Sequence, residues 1–96
     1  MTVVVVYDIC TKDAAGRKRL KRVCRTCRNY GIAVQDSVYE CEVDAAQYRA
    51  LQKELASRIA PETDSVCFYL LGNHPHSRME RLGKERILWD RETYVI

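Results

Sequence analysis

Apolar and polar positions alternate between two periods along this chain, and the changes of period mark its elements. Val3-Val4-Val5-Val6-Tyr7 is an unbroken apolar run, rich in β-branched residues and closed by Asp8. It predicts a strand buried on both faces that leaves the core at a carboxylate. From Arg17 to Tyr30 the apolar residues are Leu20, Val23, Cys24, Cys27 and Tyr30. On a helical wheel they fill an arc of about 120°. Arg17, Lys18, Lys21, Arg22, Arg25 and Arg28 take the opposite side. This predicts an amphipathic helix with Thr11 or Asp13 as its N-cap and Gly31 closing it.

Beyond Gly31 the period returns to two. The stretch from Ala33 to Val43 predicts one long strand, with Tyr39, Cys41 and Val43 on one face and Val38, Glu40 and Glu42 on the other. Asp44 followed by Gln47 has the form of a capping box, and Tyr48, Leu51, Leu55 and Ile59 continue as the apolar line of a second helix that ends before Pro61. Asp64 and Ser65 lead into a third strand, Val66 to Leu71, apolar on both faces. The segment Gly72-Asn73-His74-Pro75-His76-Ser77 reads as a turn, and Arg78 to Leu82 as a short fourth strand followed by a Gly83-Lys84 turn. Ile87-Leu88-Trp89 and Tyr94-Val95-Ile96 are short extended pieces of a C-terminal tail.

Two amphipathic helices beside an antiparallel sheet close most naturally as an α+β sandwich of the ferredoxin-like, βαββαβ type. The expectation is one domain over residues 1–96, with 83–96 as a tail. A small sheet has no obvious place for an apolar tail, so the tail is expected to exchange as a strand with a neighbouring copy, forming a homodimer.

Composition narrows the partners. At 96 residues, 47% hydrophobic and 30% charged, the chain is neither disordered nor fibrous, and it holds a modest core. No run approaches the ~20 apolar residues of a membrane span, and Asp8 interrupts the first run too early for a signal peptide. The expected location is cytoplasmic. Five cysteines in no framework spacing read as reduced, small apolar residues, including the Cys24-x-x-Cys27 pair, for which no second ligand pair stands ready.

The net charge of +3 divides into +6 over residues 1–30 and −3 over residues 31–96. Like charges at i,i+4 on the first helix, such as Arg17 with Lys21 and Lys21 with Arg25, repel one another, which implies a polyanion as counter-charge. Phosphate contact by Arg17, Lys18, Lys21, Arg22 and Arg25 is therefore expected. Asp8 stays open between a helix cap, a turn former, and a metal ligand or catalytic group. One carboxylate per chain is too few to organise phosphodiester hydrolysis, but two Asp8 residues across a symmetric dimer can share a Mg²⁺ ion. Gln35 and Ser37, and Tyr7 as a stacking ring, are weaker candidates for nucleic-acid contact; His74 and His76 are loop histidines.

Val4-Val5-Val6-Tyr7-Asp8-Ile9, Gly16-Arg17-Lys18-Arg19, Gly31, Val34-Gln35-Asp36-Ser37-Val38-Tyr39-Glu40 and Asp64-Ser65-Val66-Cys67-Phe68-Tyr69 occur in an order and at spacings that resemble the CRISPR-associated protein 2 family. The resemblance implies a ferredoxin-like homodimer with crossed C-terminal strands. It also implies work in spacer acquisition, in which the dimer bridges dimers of the CRISPR-associated integrase and helps hold duplex DNA. Metal-dependent cleavage of double-stranded DNA or single-stranded RNA is implied as well, with Asp8 as the Mg²⁺ ligand and catalytic residue. It carries nucleic-acid roles onto Tyr7, Arg17, Lys18, Arg19, Gln35, Ser37 and Tyr39, the last standing where many members have Phe. The Leu71-Gly72-Asn73 segment looks like members of compact type I systems, which favours duplex DNA as substrate. Two other readings remain: a non-catalytic adaptor of the integrase complex, and, more remotely, a toxin ribonuclease of the VapD type.

Overall fold

The computed structural model describes residues 1–72 and 78–84. The elements run β1 (Thr2–Asp8), α1 (Ala14–Tyr30), β2 (Gly31–Gln35), β3 (Val38–Glu42), α2 (Ala45–Arg58), β4 (Ser65–Leu71) and β5 (Arg78–Gly83). One antiparallel sheet has the strand order β2-β3-β1-β4-β5, with β1 central and paired to β3 and β4. Both helices pack on one face. The first four strands and two helices make the ferredoxin-like βαββαβ unit, and β5 adds a fifth strand beside β4.

The chain departs from expectation between Ala33 and Val43. The single long strand is a hairpin, folded at a two-residue Asp36-Ser37 turn in which Ser37 takes the left-handed φ of 64°. A serine pays a steric cost there that glycine would not. This fold-back supplies the extra strand that the helix-strand order needs for βαββαβ. Gly31 does follow α1, and its N–H bonds the Cys27 carbonyl, but its backbone is extended rather than left-handed. Glycine is required because a Cβ would run into the Glu40 carbonyl and the Cys41 sulfur as β2 turns directly onto β3.

β1 is not buried on both faces. Val3, Val5 and Tyr7 point under the helices, whereas Val4 and Val6 are half-buried on the opposite face. β4 alternates likewise, with Val66 and Phe68 inside and Cys67 and Tyr69 on the other face. The core joins these side chains to Val23 and Cys27 of α1, Leu51 and Leu55 of α2, and Tyr39 and Cys41 of β3. Tyr48 meets Phe68 edge to face at 5.6 Å.

The helix caps agree with their sequence signals. Asp13 caps α1 by accepting the Gly16 N–H at 2.8 Å, so the helix starts at Ala14, three residues before Arg17. Asp44 and Gln47 form the reciprocal capping box of α2, at 2.7 and 2.9 Å. Ile59 lies just past α2 as its C-cap. β5 pairs with β4 of its own chain over Arg78–Gly83, matching the expected fourth strand. His74, His76 and the tail pieces Ile87–Trp89 and Tyr94–Ile96 lie outside the described residues, as does the expected strand exchange of that tail.

Candidate nucleic-acid interface and catalytic carboxylate

Asp8 is the last residue of β1 and is exposed at one end of the sheet. Its register partner on β4 is Ser65. On the other side, the Tyr7 N–H donates to the Ser37 carbonyl at 3.0 Å, which sets the Asp36-Ser37 turn beside the strand end. The exit from β1 is held by a second carboxylate, which in the sequence stands only as the lead into the third strand. Asp64 is wholly buried, and accepts from the Cys10 N–H at 2.9 Å, the Ala60 N–H at 2.8 Å, Arg19 Nε at 2.8 Å and the Thr63 hydroxyl at 3.2 Å. Burial pushes its pKa up, but the Arg19 guanidinium and the two backbone N–H groups outweigh burial and hold it below the usual carboxylate range. No local pattern distinguishes this residue from an ordinary turn aspartate.

Arg19 is thereby set apart from the other bases of α1. The resemblance gave it a nucleic-acid role, but its Nε is committed to Asp64 and its Nη2 lies 3.4 Å from the Cys10 carbonyl. Arg17, Lys18, Lys21, Arg22, Arg25 and Arg28 are all exposed. Lys18, Lys21, Arg22 and Arg25 form no ion pair among the described residues, and Arg17 reaches only the Thr11 carbonyl, at 3.5 Å. Arg17 to Arg28 spans about 16 Å of helix axis. The stripe starts at the Asp8 end of the sheet, because α1 begins six residues after β1 ends. Gly16 belongs to this joint, since a Cβ there would run into the Cys10 carbonyl oxygen.

Tyr7, expected as a stacking ring, and Tyr39, given a nucleic-acid role by the resemblance, are core residues instead. Tyr7 and Tyr39 are 5% and 4% exposed and stack on each other at 6.2 Å. Their odd-numbered positions face the helices, so neither ring is open to a base. Burial, then a 2.9 Å hydrogen bond between its hydroxyl and the Cys24 sulfur, raises the Tyr7 pKa. Gln35 is exposed and Ser37 half-buried at the hairpin, on the Asp8 side.

All five cysteines are free. Burial, with Cys41 and Cys24 adding to it, pushes the Cys27 thiol up to about 12, so it stays protonated at neutral pH. That suits the apolar reading of the Cys24-x-x-Cys27 pair. Among the described residues no three His, Cys, Asp or Glu side chains gather as a metal cluster. No helix among them is long and apolar enough to cross a membrane.

A ferredoxin-like domain with an exposed carboxylate at the end of its central strand and a basic first helix is the class that these features define. The chain belongs to the CRISPR-associated protein Cas2 family, whose description matches residues 1–79. It is 47% identical over 83 residues to the CRISPR-associated endoribonuclease Cas2 of Chlorobaculum tepidum, covering 86% of each chain. With the CRISPR-associated endonuclease Cas2 of Halalkalibacterium halodurans it shares 45% over 83 residues, again 86% of each. The crystal structure of Streptococcus pyogenes Cas2 at pH 6.5 superimposes with a TM-score of 0.70 at 47% identity, over 75% of this chain and 87% of that one. The family and fold match the resemblance read from the residues, and the relatives' names agree with the expectation of a nuclease.

Proposed function

We propose that the chain is a Mg²⁺-dependent endonuclease that lays duplex DNA or single-stranded RNA along α1 and cleaves it at Asp8, as a homodimer serving spacer acquisition with the CRISPR-associated integrase in the cytoplasm. The observation that carries this reading is the placement of exposed Asp8 at the end of the sheet from which the basic stripe of α1 starts. The bases hold phosphates through charge without reading sequence, and successive turns of the helix present them along one strand of the nucleic acid.

The donor set suits Mg²⁺, a hard cation that takes one or two carboxylates and completes its shell with water and substrate phosphate. Asp8 would hold the ion, which when bound neutralises phosphate charge and lowers the pKa of a coordinated water. The Ser37 and Ser65 backbones flank the strand end that carries the exposed Asp8. A second copy would double the carboxylate. Support for such a copy comes from the sheet face turned away from the helices, where Val4, Val6, Val38, Cys67 and Tyr69 are only half-buried and Ile32 and Val34 are exposed.

Cleavage of duplex DNA and of RNA, with and without Mg²⁺, by wild type and Asp8→Asn tests the enzyme. Metal-dependent cutting that disappears in Asp8→Asn, with binding retained, is the expected result. Unchanged cutting by the variant sinks the reading. One alternative is a non-catalytic adaptor in which the exposed bases of α1 bind DNA for the integrase without any work by Asp8. Binding to both DNA and integrase with no cleavage by wild type would establish it.

A further inference from the structure

The backbone of Cys10, two residues beyond Asp8, is gripped at both its N–H and its carbonyl. Its N–H donates to Asp64 Oδ1 at 2.9 Å, and its carbonyl accepts from Arg19 Nη2 at 3.4 Å, while Arg19 Nε and Asp64 Oδ2 close the ring at 2.8 Å. The first turn of α1 abuts the same carbonyl through Gly16. Asp64 also stands immediately before Ser65, the register partner of Asp8. One ion pair thus binds together the end of β1, the start of β4 and the helix that carries the basic stripe.

Removing a carboxylate wholly from water is costly, and a neutral side chain could tie a loop by accepting the Cys10 and Ala60 N–H groups. The charge brings in the planar fork of Arg19, which reaches the carboxylate and the Cys10 carbonyl together. Arg19 belongs to α1, so its orientation is transmitted to the strand that ends in Asp8.

We propose that Asp64, with Arg19, is a positioning device that fixes the Asp8 carboxylate relative to the phosphate-binding face of α1. This rests on the reading of Asp8 as the cleavage residue. Neither Asp64 nor Arg19 touches the substrate. Together they set where a phosphate held on the helix arrives with respect to Asp8.

The test compares wild type, Asp64→Asn, Arg19→Lys and Asp8→Asn. Arg19→Lys keeps the charge opposite Asp64 but loses the fork, and serves should Asp64→Asn fold poorly. The measurements are affinity for a fluorescent duplex over a salt series, single-turnover cleavage with Mg²⁺, and amide hydrogen exchange. Asp64→Asn and Arg19→Lys are expected to bind with unchanged affinity and salt slope. Their cleavage is expected to slow about 10–100-fold, the loss typical when a supporting partner of a metal-site ligand is removed. Exchange should quicken in the segment Ile9 to Asp13 but not in α2. Wild-type cleavage rates per folded molecule, or exchange that quickens everywhere equally, would overturn the proposal. Full activity of Asp8→Asn would instead remove the reading of Asp8. The exchange data would then decide positioning alone, with local quickening upholding it and uniform or absent quickening overturning it.

Discussion

Single residues divide here into those whose role follows from spacing and those whose role follows from burial. Asp8, Asp13 and Asp44 announce themselves by standing at changes of period. Asp64 does not, because nothing adjacent in sequence shows that a turn carboxylate will be enclosed by the β1 exit and by an arginine 45 positions earlier. Its removal has a definite cost. Asp64→Ala strands the Cys10 and Ala60 N–H groups and the Arg19 guanidinium, and should destabilise the fold by about 2–4 kcal/mol, read from urea unfolding. The pH dependence has a definite sign. The Asp64 pKa is depressed in the folded state, so its contribution is fully present above the unfolded carboxylate value of about 3.9 and is lost as pH falls through the folded value. Urea midpoints of wild type should therefore fall toward those of Asp64→Asn as the medium is acidified below about pH 4. A gap of constant size would contradict this. Tyr7→Phe deletes only the hydroxyl bonded to Cys24; it should cost about 0.5–1.5 kcal/mol and leave nucleic-acid affinity unchanged, since the ring is enclosed.

At the scale of elements, α1 was legible from its two sharply different faces, while the choice between Thr11 and Asp13 as its cap was left to the structure, which takes Asp13. The hairpin was not legible. Asp36-Ser37 lacks the Asn-Gly or Asp-Gly signature of a tight turn, and the apolar residues on either side, Ile32, Val34 and Val38, allowed one continuous strand. The fold-back places Ile32 and Val34 on an edge strand, where they are 74% and 53% exposed. The helix carries a prediction of its own. Neutralising any one of Arg17, Lys18, Lys21, Arg22 or Arg25 should weaken binding to all duplex sequences alike and reduce the salt slope by about one unit. The same substitutions relieve i,i+4 repulsion, so thermal stability should rise slightly as affinity falls. A stripe whose neutralisation left the slope untouched would be a solvated face and nothing more.

For the whole molecule, the ferredoxin-like closure follows from strand order alone once the hairpin supplies the missing strand. What the sequence under-reports is how one-sided the sheet is. Runs that looked apolar on both faces place Phe68 and Val66 in the core, while Cys67 and Tyr69 line a face that neither α1 nor α2 covers. Phe68→Ala should cost about 3–5 kcal/mol, as expected for emptying a wholly buried site. A charge on the open face acts differently. Val6→Glu should leave the monomer folded by circular dichroism but hold it as a monomer in sedimentation, and cleavage that needs two Asp8 carboxylates should disappear with the dimer. A dimeric, active Val6→Glu would separate the open face from assembly.

The distribution of thiols turns this architecture into its own reporter. Cys27 and Cys41 are sealed between α1 and the sheet at 0% exposure, whereas Cys67 stands half-buried on the face turned away from both helices. With the other two half-buried thiols replaced (Cys10→Ser, Cys24→Ser), an alkylating reagent would keep two clocks in one tube. Labelling of Cys67 would slow whenever a second surface lies over the sheet, and labelling of Cys27 and Cys41 would advance only as often as the core itself opens.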